Sequence, residues 1–244
     1  MATNPMQQFE VHRIGPSLSF NGIDLSFTNS SLFMLISSIL IIFFFIAGTR
    51  KVNIIPGKIQ LLNELVFNFI SKMINETVGP NARPYFPFIL TIFLFILTLN
   101  MVGLLPYAFT VTSQIIITFF LAIVIFIGVT IVGFAKNGIG FLKIFAPSGV
   151  PIFLFPIIVA IEIISFLSRP VSLSVRLFAN MLAGHTMLKV FGGFVVSLGI
   201  IGGWLPLSFS VALTALEILV AFLQAYVFAV LSCIYLNDAL NMHH

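Results

Sequence analysis

Five stretches of this chain are nearly free of charge and are long enough, as helices, to cross a lipid bilayer. A helix rises about 1.5 Å per residue, so ~20 apolar residues span the ~30 Å hydrocarbon core of a membrane. The first stretch covers 31–48 and stops at Arg50-Lys51; the second covers 86–105 and is closed by Pro106. The third, 114–134, ends before Lys136. After a loop from Pro147 to Pro151 come two longer stretches, 152–190 and 207–236. A glycine-rich piece, 192–205, joins them and reads as either a re-entrant turn or a helix extension. The expected fold class is an all-α polytopic membrane protein of about five transmembrane helices, with an N-terminal outer-side segment, 1–30, and one membrane domain, 31–244.

Composition supports burial in lipid. Only 7% of the residues are charged and 59% are apolar, with 29 phenylalanines, whereas a soluble domain carries about 25% charged residues. The net charge of +4 does not point to nucleic acid, because the basic residues are scattered and form no phosphate-binding cluster. A single cysteine, Cys233, excludes an internal disulfide framework and offers no metal-site spacing. The N-terminus opens on polar residues, Met1 to Gln8, without the apolar stretch of a signal peptide, so insertion is expected to rely on the internal spans.

One segment, 58–78, is different. Leu61, Leu62, Leu65, Val66, Phe69, Ile70, Met73 and Ile74 recur at helical spacing, and Asn63, Glu64, Asn68, Ser71, Lys72 and Asn75 fill the other side. This amphipathic helix belongs on the membrane surface or against a partner, unless it is an ordinary docked surface helix. Basic residues set the orientation. Arg50, Lys51, Lys58, Lys72 and Arg83 lie between the first two spans, Lys136 and Lys143 follow the third, and the turn from Tyr107 to Ser113 has no charge. The positive-inside rule then places the N-terminus outside and, after five spans, the C-terminus inside.

The last two spans hold charges that lipid penalises. Glu162, Arg169, Arg176, His185 and Lys189 lie in or beside one, and Glu217 lies in the other. A mid-bilayer charge costs roughly 2.5–3.5 kcal/mol even on the lenient insertion scale, and a guanidinium cannot shed its proton to escape. At 100° per residue, Glu162, Arg169, Arg176 and Asn180 share one stripe within about 40°. Glu217, Gln224 and Asp238 share a face of the next helix. If the two helices run antiparallel, Gln224 matches Arg176 and Asn180 in height, His185 matches Glu217 on the outer half, and Glu162 matches Asp238 on the inner half. A fixed cation between two titratable pairs suits two half-channels better than one continuous pore, where it would repel protons. The alternative is a structural ion pair of Arg176 with Glu162 or Glu217.

The run from Ser168 to His185, SRPVSLSVRLFANMLAGH, resembles a signature of subunit a of F-type ATP synthases, in which basic-Pro-x-Ser-x-x-x-Arg-Leu-x-x-Asn-Met-x-Ala-Gly recurs. A block from Glu217 to Gln224, continuing through Ala-Tyr-Val-Phe to Tyr235-Leu-Asn-Asp238, looks like that family's last helix. The run from Asn100 to Tyr107, NMVGLLPY, resembles its third signature. The three occur in family order and cover essentially the whole chain. The resemblance implies that Arg176 is the family's essential arginine facing the rotor ring, with Asn180 and Gln224 as its polar neighbours. It implies that His185 and Glu217 serve the outer half-channel, and Glu162 and Asp238 the inner one. It further implies long, tilted last spans against a c-ring, with peripheral-stalk b-type subunits and other membrane subunits as partners. No nucleotide chemistry, cofactor or metal is expected in this chain, which has no Walker-type loop and is not an enzyme by itself.

Remaining residues read more plainly. Arg169 is either a rim anchor or a partner of Glu162, and Asn100 either lines the outer path or packs helices. Lys189 reads as a snorkelling residue at the interface, Cys233 and Trp204 as packing and interface residues, and His243-His244 as a polar tail. A secondary transporter would show inverted repeats, which are not visible here; a passive scaffold has little reason to keep Glu162, Arg176 and Glu217 in lipid. The host membrane is either a bacterial cytoplasmic membrane or the mitochondrial inner membrane.

Overall fold

Uncharged runs of Ile, Leu, Phe and Val satisfy their backbone as helices, and the structure is accordingly all-α. The computed structural model describes residues 9–15, 19–20, 23–24, 26–50, 53–105, 108–145 and 153–240. Met1 to Gln8, Lys51, Pro106, Tyr107, the Pro147–Pro151 loop and His243-His244 lie outside the described residues. Five helices are long and apolar enough to cross a membrane: α1 (Asn29–Thr49), α3 (Phe86–Gly103), α4 (Ile115–Asn137), α5 (Phe155–Gly202) and α6 (Trp204–Leu240). The amphipathic segment forms a sixth, α2 (Lys58–Thr77). Ahead of α1 two short strands, β1 (Ser19–Phe20) and β2 (Ile23–Asp24), pair antiparallel, and backbone bonds from Ile14 to Phe27 (2.8 Å) and from Asn29 to His12 (3.0 Å) tie this segment to the start of α1.

The α5–α6 hairpin is the spine, with α4 against both of its helices and α3 against α6; α1 is peripheral, resting on α3 and α2. The main core gathers Ile89, Phe93 and Ile96 of α3, Ile125 of α4, Leu173 and Leu177 of α5, and Phe228 and Leu236 of α6. Asn137 Nδ2 donates to the Ala239 carbonyl (2.6 Å), which fixes the C-terminal ends of α4 and α6 at the same end of the bundle.

α5 settles the reading of the glycine-rich piece, since its regular helix extends through that piece as far as Leu198, with non-helical backbone at Gly199. Its turn-over is built at Gly199, where φ is +64°, a conformation that costs an L side chain dearly. Gly203 donates to the Gly199 carbonyl at 2.8 Å, and a β-carbon there would come within 2.6 Å of that same oxygen. Only two glycines at these positions let α6 start one residue after α5 ends.

α2 docks less simply than its pattern suggests. Ile70, Met73 and Ile74 are buried, but so are Gln60 and Asn63, while Leu61, Leu62 and Leu65 stay uncovered. Asn63 Nδ2 donates to the Phe44 carbonyl (3.2 Å), and Gln60 bonds both the Asn53 backbone and Glu64 (2.8 Å). Asn63 therefore ties the first half of α2 to α1 and Gln60 ties it to the preceding loop, while Leu61 and Leu65 stay exposed and Leu62 lines an open groove against α1 and α3.

Candidate functional site

Antiparallel packing of α5 on α6 brings the sequence-selected residues into three levels. At the middle level Asn180 Nδ2 donates to Gln224 Oε1 (3.0 Å). Gln224 is buried, and its Nε2 has no hydrogen-bond partner among the described residues. One turn away along α5 lies Arg176. Its side chain is uncovered by the rest of the chain and makes no hydrogen bond or ion pair with a described residue. The alternative of a structural ion pair with Glu162 or Glu217 therefore does not form. Small side chains flank it on the same exposed face: Ser165, Ser172, Ala179 and Ala183.

Toward the end that carries the N-terminal segment, His185 and Glu217 do sit at one level but do not touch. Glu217 is 9% exposed and packs on Gly184, where an added β-carbon would lie 3.0 Å from the carboxyl carbon and overlap Oε1. Both of its carboxylate oxygens lack partners among the described residues. His185 points instead to the loop between α3 and α4, where Nε2 lies 3.2 Å from Thr110 Oγ1. That hydroxyl also reaches the Gly103 carbonyl at 3.4 Å. A carbonyl only accepts and a hydroxyl has one hydrogen, so both bonds hold together only if Nε2 carries a hydrogen. Phe9 stands edge-on to the imidazole, with ring centroids 6.4 Å apart, and its carbonyl accepts from Gln114 Nε2 (2.7 Å).

Between these two levels Asn100 is fully buried and donates to the Ala221 carbonyl (3.2 Å), so it braces α3 against α6. Its Oδ1 and the buried Thr112 Oγ1 have no partner among the described residues. With Glu217 and Gln224 they make a series of polar atoms inside an apolar bundle.

At the opposite end the level match departs from expectation. Asp238 is bonded by Arg169 (Nη1 to Oδ2, 3.0 Å), and the guanidinium lies 5.4 Å from the Phe166 ring and 4.9 Å from the Tyr235 ring. Glu162 is two helical turns beyond Arg169, about 10 Å along α5, and makes no bond to a described residue. The expected opposition of Glu162 and Asp238 is thus replaced by an Arg169–Asp238 ion pair. Arg169 pairs with Asp238 rather than with Glu162. The expected pairing holds at Asn180–Gln224 and at the level of Glu217, and departs by about one turn only at Arg169–Asp238, where the long arginine side chain reaches Asp238. Sequence reasoning also missed Thr110 and Gly184. Thr110 is a neutral residue in a loop with no pattern, but Gly184 immediately precedes His185, and a glycine beside an intramembrane histidine hints at a bulky neighbour.

No group of three or more metal-ligating side chains comes together among the described residues. The comparison with protein families decides the affiliation: residues 31–237 match the model described as ATP synthase A chain. The chain belongs to the ATP synthase A chain family. It is 70% identical, over all of both chains, to ATP synthase subunit a of Pelagibacter ubique (strain HTCC1062). It is 52% identical to that of Maricaulis maris (strain MCS10) over 99% of each chain, and 54% identical to that of Rhizobium rhizogenes (strain K84 / ATCC BAA-868) over 99% of this chain and 98% of the relative.

Proposed function

We propose that this chain is the stationary proton-translocating subunit of the membrane sector of an F-type ATP synthase, working through two half-channels that load and unload a rotating c-ring. The observation that carries the proposal is Arg176: a permanent cation on an uncovered helix face within a membrane span, with no ion pair among the described residues. Such a charge calls for a moving counter-charge, and the small side chains around it allow another helix to approach closely.

The path follows from the levels. A proton enters from the outer side by His185, passes Glu217 and the polar atoms of Asn100 and Gln224, and neutralises a carboxylate of a c subunit. The neutral carboxylate turns into lipid at little cost. After nearly a full rotation it meets the inner side and releases the proton past Asp238 and Glu162. Arg176 attracts the ionised carboxylate and blocks direct leakage between the halves. Each charge moved is worth about 2.3 kcal/mol per 100 mV. α5 up to its break at Gly199 and α6, about 65 and 55 Å long by helical rise, exceed a perpendicular span and tilt along the ring. The membrane is a bacterial inner membrane, since the relatives named above are bacterial, with the N-terminus outside and the C-terminus inside. Peripheral-stalk b-type subunits hold the chain still.

The test is ATP-driven proton pumping in inverted vesicles carrying Arg176→Ala, with assembly checked by co-purification of the complex. Pumping is expected to vanish with the complex intact. Near wild-type pumping would sink the mechanism.

A further inference from the structure

The loop between α3 and α4 is not built like an ordinary connection. Loops run over the surface, because a buried one carries backbone groups that water cannot reach. Here Phe109, Thr110, Val111, Thr112 and Ser113 are all buried, and the segment lies against α5. It is held from within: the Thr110 carbonyl accepts from the Ser113 amide (3.2 Å) and from Ser113 Oγ (2.6 Å). The Thr110 side chain is equally confined. A β-carbon added at Gly103, the last residue of α3, would meet Thr110 Cγ2 at 3.0 Å, so the methyl group packs against that bare position. Its hydroxyl has two polar neighbours, the Gly103 carbonyl at 3.4 Å and His185 Nε2 at 3.2 Å.

The Gly103 carbonyl decides which way these bonds run. It lies buried in the last turn of its helix, where carbonyls have no partner further along the helix and need a donor from elsewhere. The single hydrogen of the hydroxyl goes to that oxygen, and Nε2 must then donate to Oγ1. One ring nitrogen is thereby committed. A relay outward through Nε2 has no exit either, because the group beyond the hydroxyl is a peptide carbonyl, which holds no proton to pass on. We propose that Thr110 is a positioning residue for His185: it holds the neutral imidazole as the Nε2–H tautomer, so that the ring takes up and gives back its proton at Nδ1 alone. The inference rests on the reading of His185 as the outer proton carrier and adds which nitrogen works. Uptake at Nδ1 gives an imidazolium with a hydrogen on each nitrogen, and release from Nδ1 restores the same tautomer without a ring flip. Serine hydrolases use the same principle, with a carboxylate fixing one nitrogen of the histidine while the other moves protons.

Two substitutions separate the hydroxyl from the methyl group. Thr110→Val keeps the shape and removes the hydroxyl, and Thr110→Ser keeps the hydroxyl and removes the methyl. ATP-driven pumping is measured in inverted vesicles, with assembly checked by co-purification. It should fall about fivefold in Thr110→Val, the worth of one neutral hydrogen bond, and stay near wild type in Thr110→Ser. The tautomer is read by nitrogen NMR of the complex isotopically labelled at histidine, with His185→Gln identifying the resonances by their loss. At a pH where the ring is neutral, wild type should carry its hydrogen on Nε2, and Thr110→Val should show both tautomers. A wild-type hydrogen on Nδ1, wild-type pumping in Thr110→Val, or an equal fall in Thr110→Ser would each overturn the proposal. Normal pumping by Arg176→Ala sinks the half-channel reading and this proposal with it. A dead Arg176→Ala beside a normal Thr110→Val sinks this proposal alone.

Discussion

The two ends of the α5–α6 hairpin solve the same problem in opposite ways. Each carries a carboxylate of α6 in a membrane-spanning helix, Glu217 buried and Asp238 partly exposed. At the end where α6 finishes, the inner end under the proposed function, Asp238 is compensated: Arg169 bonds it at 3.0 Å and lies beside the rings of Phe166 and Tyr235. At the outer end Glu217 is more deeply buried and has no protein partner among the described residues, its nearest constraint being the bare backbone of Gly184. A proton arriving at Glu217 has no ion pair to displace, whereas one arriving at Asp238 meets a guanidinium already bonded there. Under the proposed function the comparison favours Glu217 over Asp238 as the proton carrier of α6, with Asp238 first a structural partner.

The largest expected effect tests that assignment directly. Glu217→Gln keeps size and hydrogen-bonding capacity but cannot ionise. ATP-driven pumping in inverted vesicles should fall by about 10²-fold or more, the usual scale for losing a positioned proton-transfer group. Asp238→Asn in the same assay should lose no more than severalfold. Equal losses in the two variants would break the comparison. Gly184→Ala should come next. The new methyl group lands on the Glu217 carboxylate and must displace it, so pumping should fall severalfold with the complex still assembled. Gly192→Ala is the control, because its β-carbon meets nothing within 4 Å. Both changes gain the same ~1 kcal/mol of helix propensity, so the difference between them reports the clash alone.

How much of this was legible in the residues depends on the range of the interaction. The spans and the stripe of Glu162, Arg169 and Arg176 follow from helical periodicity, which is local, and the structure has five helices long and apolar enough to cross a membrane. The glycine-rich link stayed ambiguous because a left-handed glycine at 199 serves a helix end as readily as a re-entrant turn. Cross-helix pairing was not legible at its finest level: seven residues shift a side chain by only ~20° in azimuth but by ~10 Å along the axis, so Arg169 and Glu162 look equivalent to Asp238 until the packing offset is known. Thr110 was invisible for another reason, since a neutral hydroxyl in a loop carries no signal until a histidine lies beside it.

The smallest effect sharpens the inner half of the comparison. The side chains of Arg169 and Asp238 are 24% and 39% exposed, which places their bond between a surface pair and a buried one. Arg169→Gln leaves the partly exposed Asp238 carboxylate without its partner and should cost about 1 kcal/mol, since solvent reaches more than a third of it, seen as a lower melting temperature of the purified complex. Asp238→Asn should cost less, because the guanidinium keeps its two aromatic rings. In the double variant no charge is left stranded, so its loss should be smaller than the sum of the single losses, a coupling that a double-mutant cycle measures. Pumping then separates structure from transport. If the double variant recovers the activity that Arg169→Gln loses, the pair is a brace. If stability recovers while pumping stays low, Asp238 carries protons in its own right, and the inner end resembles the outer one more closely than its geometry suggests.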